Sequence, residues 1–219
     1  AHAPLILSSS DLVYRSAVLN HLARAARHLD RVADKTRPGT GQLVAWIGIV
    51  AASLLMPGGE PRQVFGEAGL RKVLETSFYA DGGNIARSPQ AQLDAIMALS
   101  MLARIYDMRR MEVPPFLQEV LARTVPALLG LVHSDGGMGN WQGSGATPAA
   151  VIEAVVAASG VRTRPLKQAR DWGYQRLVAN KVVVLADAAP PPIARVTEAG
   201  CASTLAFELS DGDERIVVN

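Results

Sequence analysis

The stretch DGGNIARSP at Asp81–Pro89 decides the organisation of the chain, because its Asp-Gly-Gly turn recurs in DGGMGNWQGSGATP at Asp135–Pro148. Each copy is too rich in glycine for helix, and each leads through Ser-Pro or Thr-Pro into an apolar segment. A hydroxyl side chain before proline favours a helix start, since the hydroxyl caps free N–H groups and proline tolerates the first helical position. The repeat predicts stacked helical hairpins, as in an α/α toroid or an α-solenoid.

Helical spacing of apolar residues predicts further helices on both sides of these turns. The first begins around Ser10-Asp11 and carries its apolar side chains on one face. The opposite face carries the cations Arg24, Arg27, Arg31 and Lys35. The segment Leu43–Met56 is apolar nearly all round, which predicts a buried helix, because it is shorter than the roughly 20 residues that span a bilayer. Helices are also expected over 61–77, 88–110, 114–131 and 147–159.

Beyond Thr163 the helical spacing gives way to short strands. Segments 173–178 and 182–186 flank a tight turn at Asn180-Lys181. Segments 203–209 and 215–219 flank an Asp211-Gly212 turn, which is a hairpin signal. We therefore place a domain boundary between 1–162 and 163–219. We expect the β domain to continue beyond Asn219, because so few strands make a poor independent domain, and we interpret the N-terminus at Ala1 as a cut end.

Composition excludes several classes of protein. The formal charge of +2 is too small and too scattered for a nucleic-acid footprint. Cys201 is the only cysteine, so an internal disulfide and a cysteine-based zinc site are excluded. Phosphate-binding loops, dinucleotide fingerprints and hydrolase elbows are absent from the sequence. His21 and His28 have no third partner for a metal, and His133 is a loop histidine that could act as an acid or base.

Several residues have both a chemical and a structural interpretation. Asn84 and Arg87 follow the first turn, where they could face an anion at a helix mouth or belong to a polar loop. Asp81 is better explained as a turn residue. The candidates that remain are Tyr14, Arg15, Trp141, Gln142 and Tyr174.

Each of these has two readings as well. Arg15, next to Tyr14, projects onto the apolar side of its helix, so it either lines a polar cleft or extends its charge to solvent. Trp141 beside Gln142 can stack a sugar ring or cap a core. Tyr174 can be a base if nearby cations lower its pKa, or it can pack. Asp187 and Glu198 flank a triple proline as loop residues or metal ligands.

Taken together, the sequence resembles the bacterial heparinase II/III-like family. The matching stretches, in family order, are LSSSDLVYRSAVLN at Leu7–Asn20, DGGNIARSP at Asp81–Pro89, DGGMGNWQGSGAT at Asp135–Thr147, GYQRL at Gly173–Leu177, VVLADAAPP at Val183–Pro191 and GCASTLAFELSDGDERIVVN at Gly200–Asn219. The resemblance implies a mainly α chain: an incomplete α/α toroid of helical hairpins over 1–162, followed over 163–219 by the first strands of an antiparallel β-sandwich.

The resemblance implies a polysaccharide lyase that cleaves uronic-acid-containing polymers by β-elimination in the cell envelope or periplasm, with an acidic polysaccharide as partner. Such an enzyme neutralises a carboxylate, removes the C5 proton and protonates the leaving oxygen. The resemblance assigns Asn84 and Tyr174 to catalysis, with Tyr14, Arg15, Arg87, Trp141 and Gln142 binding substrate. No cofactor is expected.

The sequence departs from the family pattern at two positions, and these departures lead to two alternatives to a lyase. Relatives carry a histidine just before Gly173–Leu177 and another before the Phe-Glu-Leu strand, where lyases use them for catalysis or a structural metal. Here the first position reads Arg170-Asp171-Trp172, and the second, near Glu198, also lacks histidine. The alternatives are a degenerate, non-catalytic relative that binds envelope polysaccharide, and a helical scaffold for protein contacts.

Overall fold

The computed structural model of the chain describes residues 8–197 and 200–219. In these ranges, six α-helices precede four β-strands. The helices are α1 (Leu12–Val32), α2 (Thr40–Leu55), α3 (Glu60–Ser77), α4 (Pro89–Met108), α5 (Pro115–Gly130) and α6 (Ala149–Ser159). The strands are β1 (Tyr174–Ala179), β2 (Val182–Asp187), β3 (Phe207–Asp211) and β4 (Glu214–Val217), and a 3₁₀ turn (Ala33–Lys35) extends α1.

Two of the predicted helix starts are capped as expected. The Asp11 carboxylate accepts hydrogen bonds from the N–H groups of Val13 and Tyr14, both at 2.9 Å. The Ser88 hydroxyl accepts from the Ala91 N–H at 3.3 Å, with Pro89 as the first helical residue. Thr147 does not cap α6, because its hydroxyl donates to the Gln90 side chain at 3.0 Å.

The helices form two layers. The inner helices α2, α4 and α6 pack side by side, and each of the outer helices α1, α3 and α5 packs on an inner one. The core between them is apolar, and Leu43, Ile96 and Leu128 are among its fully buried side chains. The nearly uniform apolarity of α2 is explained by this position, since an inner helix has protein on most sides.

The four strands form one antiparallel sheet in the order β1-β2-β3-β4. Asn180 makes the first hairpin turn with a positive φ of 54°. The strand predicted over 203–209 begins later, at Phe207, because Leu205 has a φ of 68° and its N–H bonds to the Asp187 carbonyl in a turn. On β3 the polar Glu208 is fully buried while Phe207 is half exposed.

The sheet meets the helical layers at the two Asp-Gly-Gly turns. A second apolar cluster fills this junction, and it contains Ala127, Leu131, Trp141, Ala169, Trp172, Tyr174, Val183 and Leu185. Helix α5 contacts β1 directly. The two predicted domains therefore share a packed interface, and the loops singled out in the sequence lie in it.

Candidate functional site

The two Asp-Gly-Gly turns adopt the same backbone structure. The Tyr79 N–H donates to the Gly83 carbonyl at 2.8 Å, and the His133 N–H donates to the Gly137 carbonyl at 2.9 Å. The aspartate of each turn accepts a hydrogen bond from a backbone N–H two residues later. The second residue of each turn has φ near 80–90°, which glycine adopts without strain. The sequence repeat is therefore a structural repeat, and Asp81 is the turn residue that was predicted.

Asn84 lies at the base of the first turn and is fully buried. Its side-chain oxygen accepts from the Ala86 N–H at 2.9 Å, and its own backbone N–H donates to the Gln92 side chain at 2.7 Å. Its amide Nδ2 has no hydrogen-bond acceptor among the described residues. A buried amide donor without a partner is unusual, because leaving such a group unpaired costs free energy.

Arg87 is buried between the helical layers and the sheet, with 2% of its surface exposed. Its Nε donates to the Trp172 carbonyl at 2.8 Å, Nη1 donates to the Pro190 carbonyl at 2.6 Å, and Nη2 donates to the Asp187 carboxylate. All three guanidinium nitrogens thus bind groups of the β domain. Arg87 was predicted to face an anion, and it does neutralise a carboxylate. That carboxylate is the side chain of Asp187, not a ligand.

Asp187 is also bound by the Ser203 hydroxyl at 2.5 Å. Ser203 in turn accepts from the Gln142 amide Nε2 at 2.7 Å, and the Gln142 side-chain oxygen accepts from the Cys201 N–H at 2.8 Å. We call Arg87, Asp187, Gln142 and Ser203 the first junction cluster. Asp187 was considered as a loop residue or metal ligand from the sequence, and the structure places it at the centre of this cluster.

Tyr174 is buried against the same cluster. Its hydroxyl donates to the Arg87 carbonyl at 2.6 Å, and its ring packs against Trp141 and Trp172 at centroid distances of 5.2 and 4.9 Å. Burial raises the pKa of the Tyr174 hydroxyl, and the neighbouring Asp187 raises it further. A raised pKa opposes the role of a base, which requires a tyrosine that loses its proton readily.

Tyr14 and Arg15 lie in the first turn of α1, where Tyr14 is 48% exposed. Among the described residues, no hydrogen bond or ion pair connects either side chain to the junction. His21 and His28 are exposed on α1. Glu198 lies outside the described residues, as do Ala1–Leu7. The structure thus brings Asn84, Arg87, Trp141, Gln142 and Tyr174 together, and it leaves Tyr14 and Arg15 elsewhere.

A second polar cluster joins the other turn to the sheet. His133 is buried, with Nδ1 2.8 Å from the Ser210 hydroxyl and Nε2 3.1 Å from a Glu208 carboxylate oxygen. Arg215 bridges Glu208 at 3.1 Å and Asp135 at 2.8 Å. We call His133, Glu208, Ser210, Arg215 and Asp135 the second junction cluster. The hydrogen bonds that Arg215 donates to Asp135 lower the pKa of the Asp135 carboxyl.

Sequence reasoning named His133 but missed its partners. The alternation over β3 places Glu208 and Ser210 on one face, and apolar residues on the other. Had we expected the polar face of this strand to be buried against a charged element, we would have identified Glu208 as a partner of His133. Among the described residues, no three histidine, cysteine, aspartate or glutamate side chains form a group that could hold a metal ion.

A groove of about 520 Å³ opens beside the first junction cluster. Both domains contribute to its lining, which consists of Thr36, Arg37, Pro38, Gly39, Thr40, Gly41, Ala86, Ser88, Gln90, Ala91, Asp94, Gln142, Gly143, Val196 and Thr197. The first turn of α2 lies at this groove, and its N-cap, Gly39, provides no side-chain hydrogen bond. We call this space the junction groove. In the described part of the chain, no helix combines the length and apolarity needed to cross a membrane.

Comparisons with known proteins agree with this architecture. Residues 161–219 match the family model described as heparinase II/III-like, C-terminal. A crystal structure of heparinase III aligns with 95% of this chain and 38% of its own, with a TM-score of 0.71 and 11% identity. Heparan sulfate lyase HepC from Pedobacter heparinus aligns with 94% of this chain and 36% of its own, with a TM-score of 0.63 and 16% identity.

A relative is also found by sequence. FtsZ-localized protein C of Caulobacter vibrioides is 27% identical over 198 residues, which are 90% of this chain and 34% of that protein. The chain thus spans about a third of the length of the relatives it matches. The predicted fold, helical hairpins of an α/α toroid followed by strands of an antiparallel β-sandwich, is confirmed.

These matches define the fold of the chain as helical hairpins of an α/α toroid followed by strands of a β-sandwich, as in the structure of heparinase III. Over residues 161–219 the chain matches the heparinase II/III-like family.

Proposed function

We propose that this protein is a non-catalytic relative of the polysaccharide lyases that binds an acidic polysaccharide in the junction groove. One observation carries the proposal: Tyr174, the expected base, and Arg87, expected to bind the substrate, are engaged in contacts between the helical layers and the sheet. The Tyr174 hydroxyl donates to a backbone carbonyl, and the Arg87 guanidinium is bound to Asp187 and two carbonyls. Freeing either group for a substrate would leave buried polar atoms unpaired, at about 1–3 kcal/mol each.

The competing proposal, an active lyase, uses Asn84 to neutralise the uronate and Tyr174 as base. The unpaired Nδ2 of Asn84 favours it, since a carboxylate oxygen would satisfy that donor. The raised pKa of Tyr174 opposes it. Substitution of Asn84 therefore distinguishes the two proposals, because only an active lyase needs its amide for catalysis.

The junction groove supports binding of an anionic sugar polymer. Hydroxyl and amide side chains line it, among them Ser88 and Gln90, and such groups bond sugar hydroxyls. Arg37 and Asp94 both line the groove, so their charges offset each other there, and the positive end of the α2 dipole favours a negative ligand. Of the first junction cluster, only Gln142 contributes to the lining of the groove, so the ion pair of Arg87 and Asp187 can stay intact when a ligand binds.

A blocking variant tests the binding site. Gly41 is exposed at the groove, and a Cβ at this position would meet no atom within 4 Å. We expect Gly41→Trp to fill the groove without strain and to reduce affinity for polyuronates at least about tenfold, by excluding several sugar contacts. Ala122→Trp, on the exposed side of α5, is the matched control and should bind like the wild type.

The same samples test catalysis. β-Elimination at a uronate creates a C4–C5 double bond that absorbs in the ultraviolet. We expect no rise in absorbance for the protein on a panel of uronate polysaccharides that it binds. A rise in absorbance that Asn84→Ala removes would establish lyase activity and overturn the proposal. A protein that binds none of the polymers would also overturn it.

A second candidate function comes from the sequence relative. The name of that relative states that it localises with FtsZ. We infer, as an alternative to polysaccharide binding, that this protein localises with FtsZ as that relative does. Its helical part would then act as a scaffold that binds other proteins. Imaging of fluorescently tagged protein and FtsZ in the same cells tests this. Coincident bands are expected, and a distribution independent of FtsZ would remove this candidate.

A further inference from the structure

The outer face of α1 carries a row of cations that the junction does not use. Arg24, Arg27 and Arg31 are spaced three and four residues apart, and Lys35 continues the row in the 3₁₀ turn. This spacing places all four on one side of the helix, over about 16 Å at 1.5 Å per residue. All four side chains are exposed. We call these residues the α1 basic row.

The charges of the α1 basic row are not compensated within the described part of the chain, where none of the four forms an ion pair. Asp30, the nearest carboxylate on α1, is bound by Arg62 of α3 through hydrogen bonds of 3.0–3.1 Å. Arg31 donates through Nε to the Arg27 carbonyl, which leaves its charge unpaired. Asp34 is the one other acidic side chain in this stretch, so a positive strip remains.

In the C-terminal half of α1, the face opposite the basic row is directed into the protein. Ala26 and Ala33 are buried there, and Leu29 packs against the core. A helix that inserts into a membrane surface must present its apolar face to lipid. Insertion beside the basic row would require this half of α1 to leave α2, whereas a soluble polyanion can contact the exposed row with the helix in place. The exposed leucine side chains of α1, Leu12, Leu19 and Leu22, lie N-terminal to the row.

We propose that the α1 basic row is a second contact surface for acidic polysaccharide, separate from the junction groove. The class of ligand rests on the proposed function. A row of cations, rather than a compact patch, matches a linear polymer that carries one carboxylate per uronate. Because a single exposed ion pair contributes little, affinity must come from several contacts made at once, and it must weaken with salt.

The test is a titration of polygalacturonate into the protein at low and at physiological salt, followed by calorimetry. Arg24→Gln, Arg27→Gln and Arg31→Gln combined should weaken binding about tenfold at low salt, roughly twofold for each lost contact. The salt dependence should also become shallower. The matched control combines Arg104→Gln, Arg109→Gln and Arg110→Gln, three exposed arginines of α4 and its C-terminal end, and should stay close to the wild type.

The outcomes separate this inference from the proposed function. Equal binding by the triple variant and the wild type, with Gly41→Trp still defective, refutes the α1 basic row alone. No binding by the wild type refutes the proposed function and this inference with it. Row-dependent binding to anionic phospholipid vesicles or to a polyglutamate peptide, without binding to polygalacturonate, overturns the class of ligand.

Discussion

The two Asp-Gly-Gly turns share a backbone but differ in how they hold the β-sheet. At the first turn, a permanently charged arginine on the toroid side is buried against Asp187 of β2. At the second, a histidine occupies the toroid side and is buried against Glu208 of β3. Each turn therefore places a basic side chain against a carboxylate of the sheet. The arginine of the first pair is always charged, whereas the charge of the second pair depends on the protonation of a histidine.

The first junction cluster should contribute more to the stability of the junction than the second. The first junction cluster combines a buried ion pair with three packed aromatic rings, Trp141, Tyr174 and Trp172, of which Trp172 meets Tyr174 edge to face. The second is completed by Arg215, which reaches the partly exposed Asp135. Removing Arg87 leaves the buried Asp187 carboxylate without a cation, although the Ser203 hydroxyl still binds it. Removing His133 leaves Glu208 of the second cluster with the cation Arg215. The first cluster should dominate stability.

The largest expected effect is that of Arg87→Met. The variant leaves the Asp187 carboxylate buried without its cation, which should lower the free energy of unfolding by about 3–5 kcal/mol. Urea denaturation followed by circular dichroism measures it. Arg109→Met, at an exposed position, is the control and should change stability by less than about 0.5 kcal/mol. A loss below about 1 kcal/mol for Arg87→Met would show that the first cluster does not dominate.

His133→Phe should have a smaller effect, because it retains a ring of similar size. Glu208 loses one donor but keeps Arg215 and the Asn140 N–H, which bonds it at 2.7 Å. We expect a loss of about 1–3 kcal/mol in the same denaturation experiment. A loss that equals or exceeds that of Arg87→Met would reverse the ranking of the two clusters.

Tyr174→Phe removes one hydroxyl from the first cluster and keeps the packing of its ring. The hydrogen bond to the Arg87 carbonyl should contribute about 0.5–1.5 kcal/mol, so the midpoint of thermal unfolding should fall by a few degrees. If the variant were as stable as the wild type, the hydroxyl would have no structural role, and its proposed removal from catalysis would lose its main support.

The smallest effect concerns acid. Arg215 lowers the pKa of Asp135, so the folded state favours the carboxylate form. The stabilisation is present above the ordinary carboxylate pKa of about 4 and is lost as the pH falls through the lowered folded value. Because the pair is partly exposed, we expect less than about 1 kcal/mol. The stability difference between wild type and Asp135→Asn, measured by urea at pH 7 and about pH 3, should shrink at the lower pH, and a constant difference would contradict the assignment.

Local features of the fold were predictable from the sequence. The turns at Asp81 and Asp135 and the caps at Asp11 and Ser88 depend on neighbouring residues alone, so their chemistry is visible in the sequence. The start of β3 was predicted wrongly because the alternation of polar and apolar residues continues through Leu205, whose positive φ the pattern does not reveal.

The contents of the junction were predictable only in part. Asn84, Arg87 and Tyr174 stood out as residue types suited to uronate chemistry, and the structure brings them together. The bond from Arg87 to Asp187 spans two domains, and no local pattern encodes which distant carboxylate a buried arginine will meet. The same reason hid the contact of His133 with Glu208.

A double-mutant cycle on Arg87 and Asp187 tests most directly the claim that the first cluster joins the domains rather than awaiting a substrate. Arg87→Met, Asp187→Leu and their combination are compared with the wild type by urea denaturation. If the pair is structural, the double variant should lose about 2–3 kcal/mol less than the sum of the two single losses. Losses that add within about 0.5 kcal/mol would contradict the claim, because they would show that the two side chains do not stabilise each other.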